Sequence, residues 1–227
     1  MNPKEVAGRK AVEYVRDGMV VGLGTGSTAI HAIRALGERV AQGLQVQAIP
    51  TSNASGRLAE ELGIELITLE DSPVVDLTID GADEVDPALN LIKGLGGALL
   101  REKIVAAAST RQIIIIDPAK LVPKLGARAP LPVEVVQFGW TVVQRLLMEE
   151  KIQADLRKLP TADEPFVTDN GNFILDCRFA QGIDAPARME SWLDRLPGVV
   201  ENGLFIGLAD LVIVGQEDGA CQLLERA

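Results

Sequence analysis

From residue 1 to about 125, short apolar runs alternate with amphipathic stretches, and this alternation constrains the fold more than any other feature of the chain. A strand that is apolar on both faces must be covered on both sides. Helices crossing over between successive strands do this for a parallel sheet. Val6, Ala7, Lys10, Ala11, Tyr14 and Val15 fall on one helical face, 19–23 reads as a buried strand, and 29–40 as the helix after it. Further strands are expected at 46–49, 65–69, 75–79 and 112–117. Segment 98–108 is a predicted helix, rich in Ala, Leu, Glu and Lys and free of Gly and Pro. The fold class is α/β, with a Rossmann-like parallel-sheet domain.

The proline-rich stretch 127–132 interrupts this order. Beyond it the elements run strand, helix, strand, strand, helix, strand, at 133–136, 139–148, 154–159, 172–179, 187–196 and 199–205. Thr168-Asp169-Asn170-Gly171 marks a tight turn between the middle strands. That order predicts a second, smaller ferredoxin-like βαββαβ domain at 129–205. The last strands, 211–214 and 221–224, are expected to return to the first domain, which then comprises 1–128 and 206–227.

A formal net charge of -10 argues against a protein that coats nucleic acid or an anionic membrane, since both need a basic face. Cys177 and Cys221 are far apart and outside any C-x-x-C pair, so neither a disulfide framework nor a thiolate metal site is indicated. His31 is the single histidine and lies in a predicted helix, where a packing role fits better than metal ligation. The N-terminal segment lacks the apolar core of a signal peptide. No apolar stretch approaches the ~20 residues that cross a bilayer. A soluble, cytoplasmic protein is expected.

Three segments at predicted strand ends can carry chemistry. Gly22-Leu23-Gly24-Thr25-Gly26-Ser27-Thr28 joins a strand to a helix, where backbone amides and the positive helix end suit an anion. It is not a dinucleotide fingerprint, because Ser27 occupies the third glycine position and 46–52 holds no acid. It is not a Walker A loop, because no lysine precedes Ser27 or Thr28. Asp80-Gly81-Ala82-Asp83-Glu84 follows the strand ending at Ile79, where open α/β sheets bind ligands. Lys93-Gly94-Leu95-Gly96-Gly97 feeds a helix beginning with Arg101-Glu102-Lys103, and a carboxylate between cations suits a general base. Taken singly, these could be a glycine turn, a solvated acidic turn and an exposed charged helical turn.

GLGTGST, TIDGADEVD, KGLGGALLREK and PLPVEV, in this order, with VTDNGN and PGVVENGLF further on, resemble the ribose-5-phosphate isomerase A family. The resemblance implies reversible isomerisation of D-ribose 5-phosphate and D-ribulose 5-phosphate through an enediolate, in the non-oxidative branch of the pentose phosphate pathway. It implies no metal and no organic cofactor. By the same resemblance Glu102 moves the proton between C2 and C1, Asp80 and Asp83 open the furanose ring and relay protons, and Lys93 neutralises the enediolate. Lys4, Ser27 and Thr28 hold the phosphate, and Lys120 closes over the substrate. Thr25, Gly26, Gly81, Ala82, Gly94, Leu95 and Gly96 complete the substrate-binding set, and Asn53 receives no role. A homodimer or homotetramer is implied, with a pentose phosphate as the partner molecule.

The chemistry is reasonable on its own terms. A carboxylate on one face can take the proton next to a carbonyl and return it to the neighbouring carbon. A fixed donor or cation at the developing oxyanion contributes about 3 kcal/mol. Two other classes remain in view, a sugar-phosphate sensor and a CoA-transferase-like enzyme. A sensor has no need of Glu102, Asp80 and Asp83 together, and a CoA-transferase-like enzyme needs a larger, nucleotide-sized site.

Overall fold

The computed structural model describes residues 1–226. Its first half contains α1 (Pro3–Val12), β1 (Val20–Leu23), α2 (Ala29–Ala41), β2 (Gln47–Pro50), α3 (Asn53–Glu61), β3 (Glu65–Leu66), β4 (Leu77–Gly81), β5 (Glu84–Val85), β6 (Leu91–Ile92), α4 (Leu99–Ala107) and β7 (Gln112–Ile116). There follow β8 (Leu131–Val135), α5 (Trp140–Glu149), β9 (Gln153–Leu156), β10 (Phe173–Arg178), α6 (Pro186–Leu193), β11 (Val199–Asn202), β12 (Leu204–Phe205), β13 (Leu211–Gly215) and β14 (Cys221–Glu225).

The chain divides into two compact units. The first holds Met1–Ala82, Arg101–Leu121 and the residues from Gly207 on. Its seven-stranded sheet runs β14-β13-β7-β4-β1-β2-β3, parallel except where β14 pairs antiparallel with β13. Every residue of β4, β7 and β13 is buried, as central strands covered on both faces require. Val21, Ile33, Leu36, Ile79, Ile113 and Ile213 anchor the core. Asn2 caps α1 by accepting from the Lys4 amide at 3.1 Å, which sets the position of Lys4 at the helix start.

Three readings for this unit differ from the structure, the first being the strand expected at 75–79, which is Leu77–Gly81 and so holds Asp80 within β4 rather than after it. The strand expected at 65–69 is only Glu65–Leu66, at the edge of the sheet. Helix α3 was not read from the sequence, because Ser52 to Ser55 resembles a loop and Gly56 weakens the pattern. The start of α3 depends on Ser52, whose hydroxyl caps the Ser55 amide at 3.1 Å.

The second unit holds Asp83–Leu100 and Val122–Ile206. In chain order β8, α5, β9, β10, α6 and β11 form a βαββαβ unit whose antiparallel sheet runs β11-β8-β10-β9, the ferredoxin-like order. Val133, Val143, Leu147, Leu175, Leu193 and Leu204 pack its core. Segments 83–100 and 122–128 cluster here, although the sequence reading grouped them with the first domain. Segment 83–100 does so because β5, β6 and β12 form a small antiparallel sheet of two-residue strands, too short to leave a periodic signal, and 122–128 is tied to it by the Gly126 and Arg128 amides donating to Glu84.

The strand expected at 199–205 is two strands in two sheets. Between them the Gly203 amide donates to Pro132 O at 2.8 Å, and the Gly203 carbonyl accepts from Lys93 N at 2.9 Å. A Cβ at Gly203 would stand 2.4 Å from the Lys93 carbonyl oxygen, so only glycine permits this crossing. The strand expected at 154–159 ends at Leu156, and the expected turn before β10 closes with the Gly171 amide on Thr168 O at 2.9 Å.

Candidate active site

In the first unit, β1 and β4 are parallel neighbours, so the glycine loop after β1 and the end of β4, where Asp80 lies, meet at the same edge of the sheet. The two segments are joined through Asp80. Its Oδ1 accepts from the Thr25 amide at 3.0 Å and from the Gly81 amide at 2.7 Å. Asp80 is fully buried, which excludes a solvated acidic turn at this position.

Thr25 is held by hydroxyl groups that the sequence reading did not single out. Its Oγ1 lies 2.8 Å from Thr51 Oγ1, 2.8 Å from Ser52 Oγ and 3.2 Å from Ser55 Oγ. Ser55 donates to the Gly24 carbonyl at 2.6 Å, and Thr51 to the Leu23 carbonyl at 2.9 Å. The loop is thus fixed from the β2–α3 connection. The only sequence signal was a run of small hydroxyl residues after a buried strand, which is also the composition of an ordinary loop.

Gly26 takes φ of 106°, a conformation that side-chain-bearing residues rarely adopt, and this turns the chain into α2. Ser27 is exposed and accepts from Lys4 Nζ at 2.9 Å. The N-cap of α2 is Thr28, which makes no side-chain cap hydrogen bond. Lys4, Ser27 and the start of α2 therefore gather an ammonium, a hydroxyl and a helix N-terminus, a set suited to a phosphate. Lys120 ends a short 3-10 turn, Pro118–Lys120, after β7, with Asp117 capping the Ala119 amide at 2.9 Å. A cavity of about 630 Å³ is lined by Lys4, Asp117, Pro118 and Ala119 among others.

Glu102 lies in the first turn of α4 and is buried, unlike the exposed charged turn its neighbours suggest. Arg101 donates to Asn53 Oδ1 at 3.0 Å, so Asn53, left without a role by sequence, ties the start of α4 to α3.

In the second unit, Asp83 Oδ2 accepts from the Leu95 amide at 3.0 Å, which joins the acidic segment to the second glycine-rich loop. Gly94, with φ of 99°, and the exposed Leu95 and Gly96 form that loop. Lys93 is 2 % exposed, and its ammonium stands 5.5 Å from the centre of the Phe205 ring. Glu84, although part of the same acidic segment, is structural. It is buried and accepts from the amides of Gly126 at 2.6 Å, Arg128 at 2.7 Å and Ala129 at 2.7 Å.

Among the described residues, no cluster of three or more His, Cys, Asp or Glu is arranged to hold a metal ion. No described helix is long and apolar enough to cross a membrane. His31 is partly buried on α2, with Nε2 3.4 Å from the side-chain Nδ2 of Asn2. A second cavity, of about 560 Å³ beside Phe179, Met189 and Trp192, contains none of the residues expected to act.

The profile of the family described as ribose 5-phosphate isomerase A (phosphoriboisomerase A) matches residues 47–219. Ribose-5-phosphate isomerase A of Gloeobacter violaceus is 58% identical over 217 residues, covering 95% of this chain and 93% of the relative. Its counterpart in Listeria monocytogenes is 47% identical, with both chains covered in full. A solved D-ribose-5-phosphate isomerase in complex with phospho-erythronic acid is 42% identical and superposes with a TM-score of 0.95 over the whole of both chains. Ribose 5-phosphate isomerase A of Methanocaldococcus jannaschii, also 42% identical, gives a TM-score of 0.93 over 98% of this chain and 97% of its own.

Proposed function

The chain belongs to the ribose 5-phosphate isomerase A family, and we propose on that premise that it interconverts D-ribose 5-phosphate and D-ribulose 5-phosphate. This reaction belongs to the non-oxidative branch of the pentose phosphate pathway. The observation that carries the reading is the burial of three charged side chains, Asp80, Lys93 and Glu102, at 0%, 2% and 4% exposure. Such residues are almost never buried without a partner or a task.

Lys4, Ser27 and Thr28 take the phosphate, whose binding energy positions the reacting carbons. Asp80, oriented by two amides, and Asp83, oriented by the Leu95 amide, open the furanose ring and carry protons between the C1 and C2 oxygens. Glu102 removes the C2 proton and returns it at C1. The negative oxygens of the enediolate are stabilised by Lys93 and by loop amides, each good donor contributing about 3 kcal/mol. Lys120 closes over the bound sugar, and Thr25, Gly26, Gly81, Ala82, Gly94, Leu95 and Gly96 provide the surrounding backbone.

The complex of one relative with phospho-erythronic acid supports a site for a short, phosphorylated, oxygen-rich chain. We place the enzyme in the cytoplasm, working without metal or organic cofactor, as a homodimer or homotetramer. A coupled assay of purified, chelator-treated protein with ribose 5-phosphate tests the reading. Undiminished turnover in EDTA is expected. No turnover sinks the proposed activity, and turnover restored only by a divalent metal sinks the cofactor-free mechanism. Light scattering on the same sample gives the oligomeric state.

A further inference from the structure

We infer that Arg157 is a positioning residue for the proposed reaction, acting on Asp83 through the peptide that joins Gly94 to Leu95. This rests on the role given to Asp83 above. The geometry lies within the second unit. Arg157 directly follows β9, and its side chain is 11% exposed. Its guanidinium is clamped by Asp176 of β10, with Nε 2.9 Å from Oδ2 and Nη2 2.5 Å from Oδ1. Such a forked pair fixes the plane of the guanidinium as well as its position.

The remaining donor edge is directed at the glycine-rich loop. Nη1 donates to the Gly94 carbonyl at 3.0 Å and to the Leu95 carbonyl at 3.1 Å. The Gly94 carbonyl and the Leu95 amide belong to one peptide unit, and the described residues contain no cis peptide bond. In a trans peptide these two groups point in opposite directions. With the carbonyl held by Arg157, the N–H is aimed at Asp83 Oδ2, 3.0 Å away. A cation on the carbonyl side and a carboxylate on the amide side polarise the same peptide, so each hydrogen bond strengthens the other.

Phe166 completes the clamp. Its ring lies 5.9 Å from the Arg157 guanidinium carbon, and a Cβ added at Gly97 would fall 2.5 Å from its Cζ. The loop therefore rests on Phe166 at Gly97 while Arg157 grips it at Gly94 and Leu95. A bare structural ion pair has no need of the two loop carbonyls.

Arg157→Lys tests the inference, since lysine keeps the charge for Asp176 but lacks the planar fork that reaches both carbonyls. Hydrogen exchange at the Leu95 amide should quicken by about tenfold or more at an unchanged melting temperature, as local opening of the loop requires. The variant should lose about tenfold in kcat with KM within about threefold, because phosphate capture belongs to other residues. A Leu95 amide as protected as in the wild type overturns the inference, and so does a wild-type kcat. If Arg157→Lys does not fold, Phe166→Leu leaves both charges paired and removes only the supporting ring, and the same changes at Leu95 and in kcat are expected. If the wild type does not turn over ribose 5-phosphate, the proposed function fails, whereas the Leu95 exchange still decides whether Arg157 holds the loop.

Discussion

Gly24 lies so close to Asp80 that a Cβ on Gly24 would stand 2.1 Å from Asp80 Oδ1 and 2.5 Å from the Asp80 Cα. The loop that supplies the Thr25 amide to Asp80 can approach it only because residue 24 has no side chain. Gly24→Ala must therefore displace backbone as well as the carboxylate. We expect a folded protein destabilised by about 1–3 kcal/mol, the usual cost of overpacking. Its kcat should fall at least about 100-fold, as displacing a positioned catalytic group does. Urea denaturation and steady-state kinetics on one preparation check both values. Near-normal turnover would remove Asp80 from the mechanism.

Glu102→Gln preserves size and most hydrogen bonding but removes basicity. Its kcat should fall by about 10² or more, the scale of a lost general base, with a much smaller change in KM. In deuterated water the wild type should incorporate deuterium at C2 of the aldose or C1 of the ketose, because a carboxylic acid exchanges its proton with solvent. Products free of deuterium would indicate a hydride shift instead.

Lys4 donates to Ser27 and borders the cavity beside the Asp117 turn, so its proposed contribution is to phosphate binding. Lys4→Ala should raise KM for ribose 5-phosphate by about tenfold or more with a smaller effect on kcat, as loss of a charged phosphate contact does. Free ribose should be a very poor substrate for the wild type. Comparable kcat/KM for ribose and its phosphate would show that the first glycine loop does not bind phosphate.

Cys177 is completely buried, and burial, reinforced by the charges of Asp176 and Asp155, pushes its thiol well above the usual thiol range. In the unfolded chain the same thiol ionises near its ordinary value of about 8.5. Above that pH the unfolded state holds fewer protons than the folded state, so stability falls as pH rises. Denaturation midpoints from pH 8 to 10, compared with those of Cys177→Ala, should show a steeper decline in the wild type. Only the partly exposed Cys221 should react with a thiol reagent before denaturation.

Much of the architecture was legible because periodicity is local. The runs Ile113–Ile116 and Leu211–Val214 are apolar strands whatever surrounds them, and they lie inside the first sheet. The βαββαβ order was readable for the same reason. Asp80, Asp83, Lys93 and Glu102 stood out as charges beside glycine loops at strand and helix ends, although the roles proposed for them came from the family resemblance.

The features that escaped the sequence depend on groups distant along the chain. Glu84 and Asp83 are adjacent acids, yet Glu84 is consumed by three amides of the 126–129 loop while Asp83 faces the Leu95 amide. Glu134, within the predicted strand 133–136, is buried and accepts from Thr168 and Asn172, each at 2.9 Å, partners more than 30 residues away. Thr51, Ser52 and Ser55 carry no local mark that distinguishes a loop brace from an ordinary turn. Hydrophobic patterning is decided by neighbours a few residues away. Which carboxylate is taken up in holding the backbone is decided by which amides and hydroxyls the fold brings to it, and only the tertiary structure sets that.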